Sequence, residues 1–113
     1  MDTGLRVVRR TTAPGLVVLS LDGYVDLGTA AVLAGALHDV VTARPAPEVL
    51  TVDCAGLVFC TSSGLNEFLE ARRAATARGI AFRLAAPRPQ TTRLLRAAGS
   101  DAVFEILPAD DAA

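Results

Sequence analysis

An almost unbroken apolar run in the middle of the chain, VLTVDCAGLVF at residues 49–59, is the feature that most constrains the fold. Asp53 and Gly56 are its interruptions. Such a run is typical of a central strand that is covered on both faces. A chain of 113 residues is long enough for one domain, so we expect the other elements to surround this strand in a single core.

Strand and helix patterns alternate along the rest of the chain. The N-terminal part predicts a β-hairpin, because Pro14-Gly15 suits the two central positions of a type II turn. Asp26 follows the hairpin and is placed to act as the N-cap of a first helix. The predicted elements are strands 5–11 and 16–23, a helix over 27–43, strand 49–59, a helix over 63–78, strand 80–86, a helix from Pro89 to Gly99, and strand 103–107.

This order, ββαβαβαβ, predicts a single α/β domain over residues 5–107. Strands that alternate with helices form parallel pairs. We therefore expect a mixed, mostly parallel β-sheet with an N-terminal hairpin and with helices packed on it. The remaining residues, 108–113, are expected to form a mobile C-terminal tail.

The charge and the apolar content argue against several classes of partner. The formal net charge is −1, which gives no basic face of the kind that nucleic-acid-binding proteins use. No apolar run approaches the length that spans a bilayer, and the N-terminus lacks the apolar core of a signal peptide. We expect a cytoplasmic protein that binds neither nucleic acid nor membrane.

Three consecutive hydroxyl residues lie where the apolar run gives way to a helix, in FCTSSGLNEFL at residues 59–69. Ligands of open α/β sheets sit outside the carboxyl ends of strands, and the start of a helix offers unpaired N–H groups to an anion. One hydroxyl is enough to cap the helix. The other two are either ordinary loop residues or part of a binding site.

The sequence does not support an enzyme. The nucleophile motif G-x-S-x-G and the glycine-rich phosphate-binding motifs are absent from the sequence. The one histidine, His38, falls within the first helix pattern, where a solvent-facing side chain is expected rather than a catalytic base. We expect no catalytic residue and no cofactor.

Acidic residues and cysteines are the remaining candidates for metal-site chemistry. Asp22, Asp26 and Asp53 lie near strand ends and resemble a metal-binding cluster, but a helix cap for Asp26 and a strand-end hydrogen bond for Asp53 account for two of them. Cys54 and Cys60 lack C-x-x-C spacing and are expected to be buried free thiols, not a disulfide, a metal site or a redox pair. No metal site is expected.

Four stretches follow one another along the chain: LSLDGYVDLGTAAVLAGAL, LTVDCAGLVFCTSSGLNEFLEARRAATARG, FRLAAPRPQTTRLLRAAG and the closing VFEIL. Their short motifs, in this order, resemble the STAS domain of anti-sigma factor antagonists. That family has an aspartate turn after the second strand and a phenylalanine–x–aspartate–serine–serine/threonine–glycine signature at the second helix. The resemblance covers about residues 5–107.

The resemblance implies a binding module that phosphorylation switches off. In the family, the unphosphorylated antagonist binds an anti-sigma factor that is itself an ATP-using serine kinase, and phosphate on the second hydroxyl of the signature releases it. That acceptor corresponds to Ser63 here, and Asp26 matches the turn aspartate. The partner-binding residues implied are Asp26, Thr61, Ser62, Ser63, Gly64 and Leu65. The chain is expected to be a monomer or a weak homodimer.

Thr61 departs from this family pattern, because it stands where the signature has aspartate. The substitution leaves open an alternative function, a constitutive STAS interaction or scaffold domain that is not phosphorylated. The intact Ser62-Ser63-Gly64 motif favours the phosphorylated module, with Ser63 as the acceptor.

Overall fold

The computed structural model describes residues 4–109, and its elements follow the predicted order. The predicted mixed α/β domain is confirmed. The predicted tail at 108–113 lies outside the described residues from 110 onward. The elements are β1 (Leu5–Ala13), β2 (Leu16–Val25), α1 (Ala30–Val41), β3 (Val49–Cys60), α2 (Ser62–Ala77), β4 (Ala81–Ala85), α3 (Pro89–Ala97) and β5 (Glu105–Leu107).

The strands form one sheet in the order β1-β2-β3-β4-β5. The pair β1–β2 is antiparallel, whereas the other three pairs are parallel. Ala13 pairs with Leu16 across a two-residue turn, and Gly15 has a φ of 78°, which a type II turn requires at its second central position. The predicted hairpin at Pro14-Gly15 is confirmed.

The helices cover one face of the sheet. Alternate strand residues such as Leu19, Leu50 and Leu84 belong to a core that also contains side chains of all three helices. Val18 and Ala85 are buried but lie outside that core, on the opposite face. Three right-handed crossovers that advance in the same direction along the sheet place their helices on the same side.

The interpretation of 49–59 as a strand covered on both faces holds for its first half, where Leu50, Thr51 and Val52 are buried, but not near its end, where Val58 and Phe59 are exposed. On the face opposite the helices, Thr51 of β3 is the register partner of Arg83, which forms an ion pair with Glu105 at 3.0 Å. Long side chains of this kind cover neighbouring apolar surface while their charged ends stay in water. Thr51 is consequently only 8 % exposed without a second layer of helices.

Two helices end where glycine was expected to end them. Gly79 and Gly99 have φ values of 74° and 69°, and each follows a helix whose last carbonyls accept from the turn. Ile80 N–H donates to the Ala75 carbonyl at 2.9 Å, and Ser100 N–H donates to the Leu95 carbonyl at 2.8 Å. Both ends are Schellman motifs, which place glycine in the left-handed region.

Some predicted boundaries shift. The helix predicted over 27–43 begins at Ala30, because residues 26–29 form a separate turn, so the assignment of Asp26 as its N-cap is wrong. The last strand begins at Glu105 instead of residue 103, since Val103 N–H bonds to the Ser100 carbonyl in a turn.

Arg78 joins the C-terminal ends of α1 and α2. Its Nη1 donates to the Val41 carbonyl at 2.7 Å and to the Ala43 carbonyl at 2.9 Å. These carbonyls lie at and just beyond the end of α1, where no further helical turn supplies a donor. A positive charge also interacts favourably with the negative end of the helix dipole.

We predict that Arg78→Ala lowers the free energy of unfolding by about 1–2 kcal/mol, because it removes two charge-assisted hydrogen bonds at a partly exposed site. Urea unfolding followed by circular dichroism measures this. Arg73→Ala is the control, since the described partner of Arg73 is the exposed Glu70 and the substitution should cost less than about 0.5 kcal/mol. Equal effects of the two substitutions would contradict the role assigned to Arg78.

Candidate functional site

Two strand-to-helix junctions lie side by side at the carboxyl edge of the parallel strands. Val25, the last residue of β2, is the register partner of Cys60, the last residue of β3. Thr61 N–H donates to the Val25 carbonyl at 2.9 Å, and the Thr61 hydroxyl donates to the same oxygen at 3.3 Å. The fold thereby brings the segment after β2, with Asp26, next to the hydroxyl segment after β3.

The Asp26 side chain holds its own turn. Thr29 N–H donates to Asp26 Oδ1 at 3.0 Å, while Asp26 N–H donates to the Thr29 hydroxyl at 3.0 Å. The Thr29 hydroxyl in turn donates to the Tyr24 carbonyl at 3.0 Å. This reciprocal pairing is the geometry of a capping box, here in the turn that precedes α1. Asp26 therefore shapes the loop and leaves Leu27 at its tip 85 % exposed.

One of the three consecutive hydroxyls was expected to cap α2, but the residue at the N-cap position does not do so through its side chain. Thr61 occupies the N-cap position with extended backbone, but its side chain makes no cap hydrogen bond because its hydroxyl is turned to the Val25 carbonyl. The first helical amides that are bonded are those of Gly64 and Leu65, both to the Thr61 carbonyl. Among the described residues, nothing accepts from the N–H groups of Ser62 and Ser63.

Ser62 and Ser63 present free hydroxyls at this uncapped end. Ser62 is exposed and Ser63 is half-buried, and neither hydroxyl makes a hydrogen bond within residues 4–109. Two N–H donors and two hydroxyls, all without partners in the described part of the chain, thus lie at the positive end of a 16-residue helix. Such an end can hold an anion or a covalently attached phosphate.

Gly64 and Leu65 support the site from beneath. Both are buried, and Leu65 belongs to the hydrophobic core. A Cβ on Gly64 would lie 2.6 Å from Cys60 Sγ and 2.8 Å from Val25 Cγ1, so only glycine lets α2 approach the two strand ends so closely. Of the six residues predicted to bind a partner, these two have no side chain at the surface.

Exposed apolar side chains lie at and just beyond the carboxyl ends of β2 and β3, and sequence reasoning missed them. Tyr24 and Phe59 are register partners and are 43 % and 49 % exposed, Val58 is 60 % exposed, and Leu27 is 85 % exposed. We call these four residues the apolar surface. The exposure of Leu27 could have been predicted, because Leu27 follows Asp26 in a D-x-x-T capping pattern, which places it in a turn before the first helix. The exposure of Phe59 and Val58 could not have been predicted, because apolar residues in a strand are expected to be buried.

The other candidate groups do not converge on this site. Asp53 Oδ1 accepts from Ala55 N–H at 3.0 Å, which confirms the expected strand-end hydrogen bond, and Asp22 lies 3.8 Å from Arg6. His38 is in the last turn of α1, at the far end of that helix from Asp26. Within residues 4–109 no group of three His, Cys, Asp or Glu side chains is arranged to hold a metal ion.

Both cysteines are free and buried, as predicted. Burial raises the pKa of Cys54 far above its ordinary value, and burial likewise raises the pKa of Cys60 to about 11. Both thiols are therefore protonated at neutral pH and are poor nucleophiles. None of the helices in the described part of the chain is both long and apolar enough to cross a membrane.

Comparison with known proteins gives one family and consistent structural neighbours. The family model described as "Mlab, STAS domain" matches residues 8–108. A crystal structure of an anti-sigma factor antagonist from Mycobacterium paratuberculosis is similar with a TM-score of 0.84 and 26% identity, over 99% of this chain and 93% of that chain. No curated protein matches the sequence significantly.

Two further structures are of SpoIIAA and share the fold. The anti-sigma factor antagonist SpoIIAA in its unphosphorylated form has a TM-score of 0.76 and 18% identity, over 94% of this chain and 90% of that chain. The Bacillus cell fate determinant SpoIIAA in the phosphorylated form has a TM-score of 0.72 and 19% identity, over 94% of this chain and 93% of that chain. At these identities the likeness concerns the fold.

We predict that Gly64→Ala destabilises the protein by about 1–3 kcal/mol, since its methyl group would overpack against Cys60 and Val25. Gly35→Ala is the matched control. Gly35 is an exposed residue of α1 whose added Cβ would meet nothing within 4 Å, so the same substitution should stabilise by up to about 1 kcal/mol. Urea unfolding of both variants tests the pair, and a shift in the same direction for both would contradict the packing role of Gly64.

Proposed function

The chain belongs to the STAS-domain family, and we propose that it is an anti-sigma factor antagonist whose binding is switched off by phosphate on Ser63. Unphosphorylated, it binds a cognate anti-sigma factor that is also a serine kinase, and it thereby regulates transcription. Phosphorylation of Ser63 by that kinase releases it. Because the kinase uses ATP, the exchange would take place in the cytoplasm. In this proposal the chain itself is a binding protein, not an enzyme.

The observation that carries the proposal is the state of the Ser63 hydroxyl. It lies half-buried at the uncapped start of α2 and makes no hydrogen bond to any described residue, which supports its availability to a kinase. A serine that served only the helix would bond to a backbone N–H. The similarity to the anti-sigma factor antagonist from Mycobacterium paratuberculosis supports the same class of function.

Phosphate at Ser63 would spare the domain. Transfer breaks the bond between the γ-phosphorus of ATP and its bridging oxygen, forms a bond from that phosphorus to Ser63 Oγ, and leaves ADP, while the hydroxyl proton passes to a base of the kinase. The product adds roughly 1.5 to 2 negative charges at neutral pH. Those charges lie beside the free N–H groups of Ser62 and Ser63, where the helix dipole favours negative charge by roughly 0.3–1 kcal/mol.

The same charge would disfavour the complex. The apolar surface lies at the ends of the two strands that lead to Asp26 and to α2, and it would suit a partner that excludes water from it. A partner that docks over this surface would also have to desolvate the phosphate, close to the Asp26 carboxylate. Burying an unmatched dianion costs more than the contact gains. Asp26, Thr61, Ser62 and Ser63 form the polar part of the proposed binding surface, while Gly64 and Leu65 hold it in place.

The alternative is a constitutive STAS interaction or scaffold domain that is not phosphorylated. Thr61 is the observation that favours it, because the hydroxyl bonded to Val25 offers no carboxylate beside the acceptor. One fold also hosts several functions, so the fold by itself does not exclude it. On oligomeric state we propose a monomer or weak homodimer, since the exposed edge strand β1 carries Arg6, Arg9 and Arg10, whose like charges oppose edge pairing.

We predict that incubation with the cognate kinase and ATP places phosphate on Ser63, read by peptide mass spectrometry. Ser63→Ala should abolish it, and the matched control Ser62→Ala should retain it. In binding assays, Ser63→Asp should weaken the complex at least tenfold, while Ser63→Ala binds nearly as the natural chain does. Phosphate on Thr61 or Ser62 alone would contradict the assignment of Ser63 as the acceptor, whereas no phosphate at all, or equal binding by the two Ser63 variants, would support the constitutive alternative.

We predict that Leu27→Ser weakens the unphosphorylated complex roughly tenfold, because a side chain 85 % exposed in the free protein would be buried by the partner. Its stability should change little. Val103→Ser removes an apolar side chain 39 % exposed before β5, at the other edge of the sheet, and should leave binding unchanged. Calorimetric titration compares them, and unaltered binding by the Leu27 variant would place the interface elsewhere.

A further inference from the structure

Strand β3 extends well beyond its neighbour β4. The two strands pair only from Val49 to Asp53, whereas β3 continues beside β2 as far as Cys60. Over its last residues the side of β3 away from β2 therefore has no strand beside it among the described residues. Backbone groups on that side need other partners or water.

Gln90 supplies the missing partner at Cys60. Its Oε1 accepts from Cys60 N–H at 2.9 Å, and its Nε2 donates to the Cys60 carbonyl at 2.8 Å. One side-chain amide thus satisfies both backbone groups of one residue, as a residue of a neighbouring strand would. Gln90 is the second residue of α3, which is anchored in the core through the fully buried Leu95.

The chain is consequently held by hydrogen bonds on two sides at Cys60 and Thr61, immediately before Ser62 and Ser63. Gln90 holds Cys60 from the side of α3, and the Val25 carbonyl holds Thr61 from the side of β2. The next two residues are Ser62 and Ser63, whose N–H groups and hydroxyls have no partners within residues 4–109. With no side-chain cap on α2, these bonds and the packing under Gly64 define where the helix starts.

We infer that Gln90 is a positioning residue for Ser63: by bonding both backbone groups of Cys60 it fixes the first turn of α2 and holds the acceptor hydroxyl in the geometry that phosphoryl transfer needs. The inference rests on the proposed function. Pre-set geometry of this kind lowers the barrier of the transfer step, because the reacting oxygen does not have to be ordered during the reaction. The role suits an amide, which offers a donor and an acceptor side by side, whereas an ionised carboxylate of the same size offers acceptors only.

The first test needs no partner, because Cys60 reports on its own surroundings. Cys60 and Cys54 are buried free thiols of the same strand, so Cys54 serves as the reference within the chain. Labelling with N-ethylmaleimide under native conditions is followed by peptide mass spectrometry. Gln90→Met keeps the volume and removes both bonds, and it should raise the labelling rate of Cys60 about tenfold while that of Cys54 stays unchanged.

Two further variants make this test specific. Gln90→Glu keeps an acceptor but sets a carboxylate oxygen against the Cys60 carbonyl, so it should raise the rate at Cys60 as well. Arg93→Met, at an exposed position of the same helix, should leave both rates unchanged. An unchanged rate at Cys60 in Gln90→Met, or equal increases at Cys54 and Cys60, would overturn the local role of Gln90.

The second test measures phosphorylation kinetics with the cognate kinase. Gln90→Met should lower kcat about tenfold and leave KM within about twofold, because the hydroxyl is displaced while the apolar surface remains intact. Selective labelling of Cys60 together with normal kcat would overturn the positioning role alone. Absence of phosphate on Ser63 in the natural chain would overturn the proposed function, and the positioning role with it.

Discussion

The hydrogen bonds from Thr61 to the Val25 carbonyl are the interaction on which the site depends. They join the ends of two parallel strands, and each strand end leads into a helix. Because the strands stay paired, across two register shifts, as far as Val25 and Cys60, the turn built by Asp26 and the start of α2 lie next to each other. The pairing of β2 with β3 thus creates the site, and both strand-to-helix junctions contribute residues to it.

The start of α2 combines tight packing below with free groups above. Gly64 lets the helix come so close to the strands that a methyl group would not fit, while Leu65 is buried in the core. Above them the N–H groups of Ser62 and Ser63 have no partner among the described residues. A capped helix would be more stable but would offer its first turn to nothing. Rigid support under unsatisfied donors is what a site for reversible phosphate attachment requires.

Local signals in the sequence predicted most of the fold, because each acts over a few residues. Gly15, Gly79 and Gly99 marked turns and helix ends correctly, since a positive φ is a local requirement. What covers the face of β3 opposite the helices was not predictable, because long polar side chains can shield a strand as well as a layer of helices can. Gln90 was also missed: its bonds cross thirty residues of chain, and a glutamine near a helix start carries no signal of its target.

Thr61 changes the electrostatics of the site as well as its capping. In the signature that the chain resembles, a carboxylate stands at this position, two residues before the acceptor, and it would repel a phosphate there. Thr61 is neutral and its hydroxyl is turned to Val25, so this position adds no negative charge at the positive end of α2. A phosphate on Ser63 would then be better tolerated by the fold than in a chain with aspartate. The cost of phosphorylation would fall mainly on the complex, through the apolar surface and Asp26.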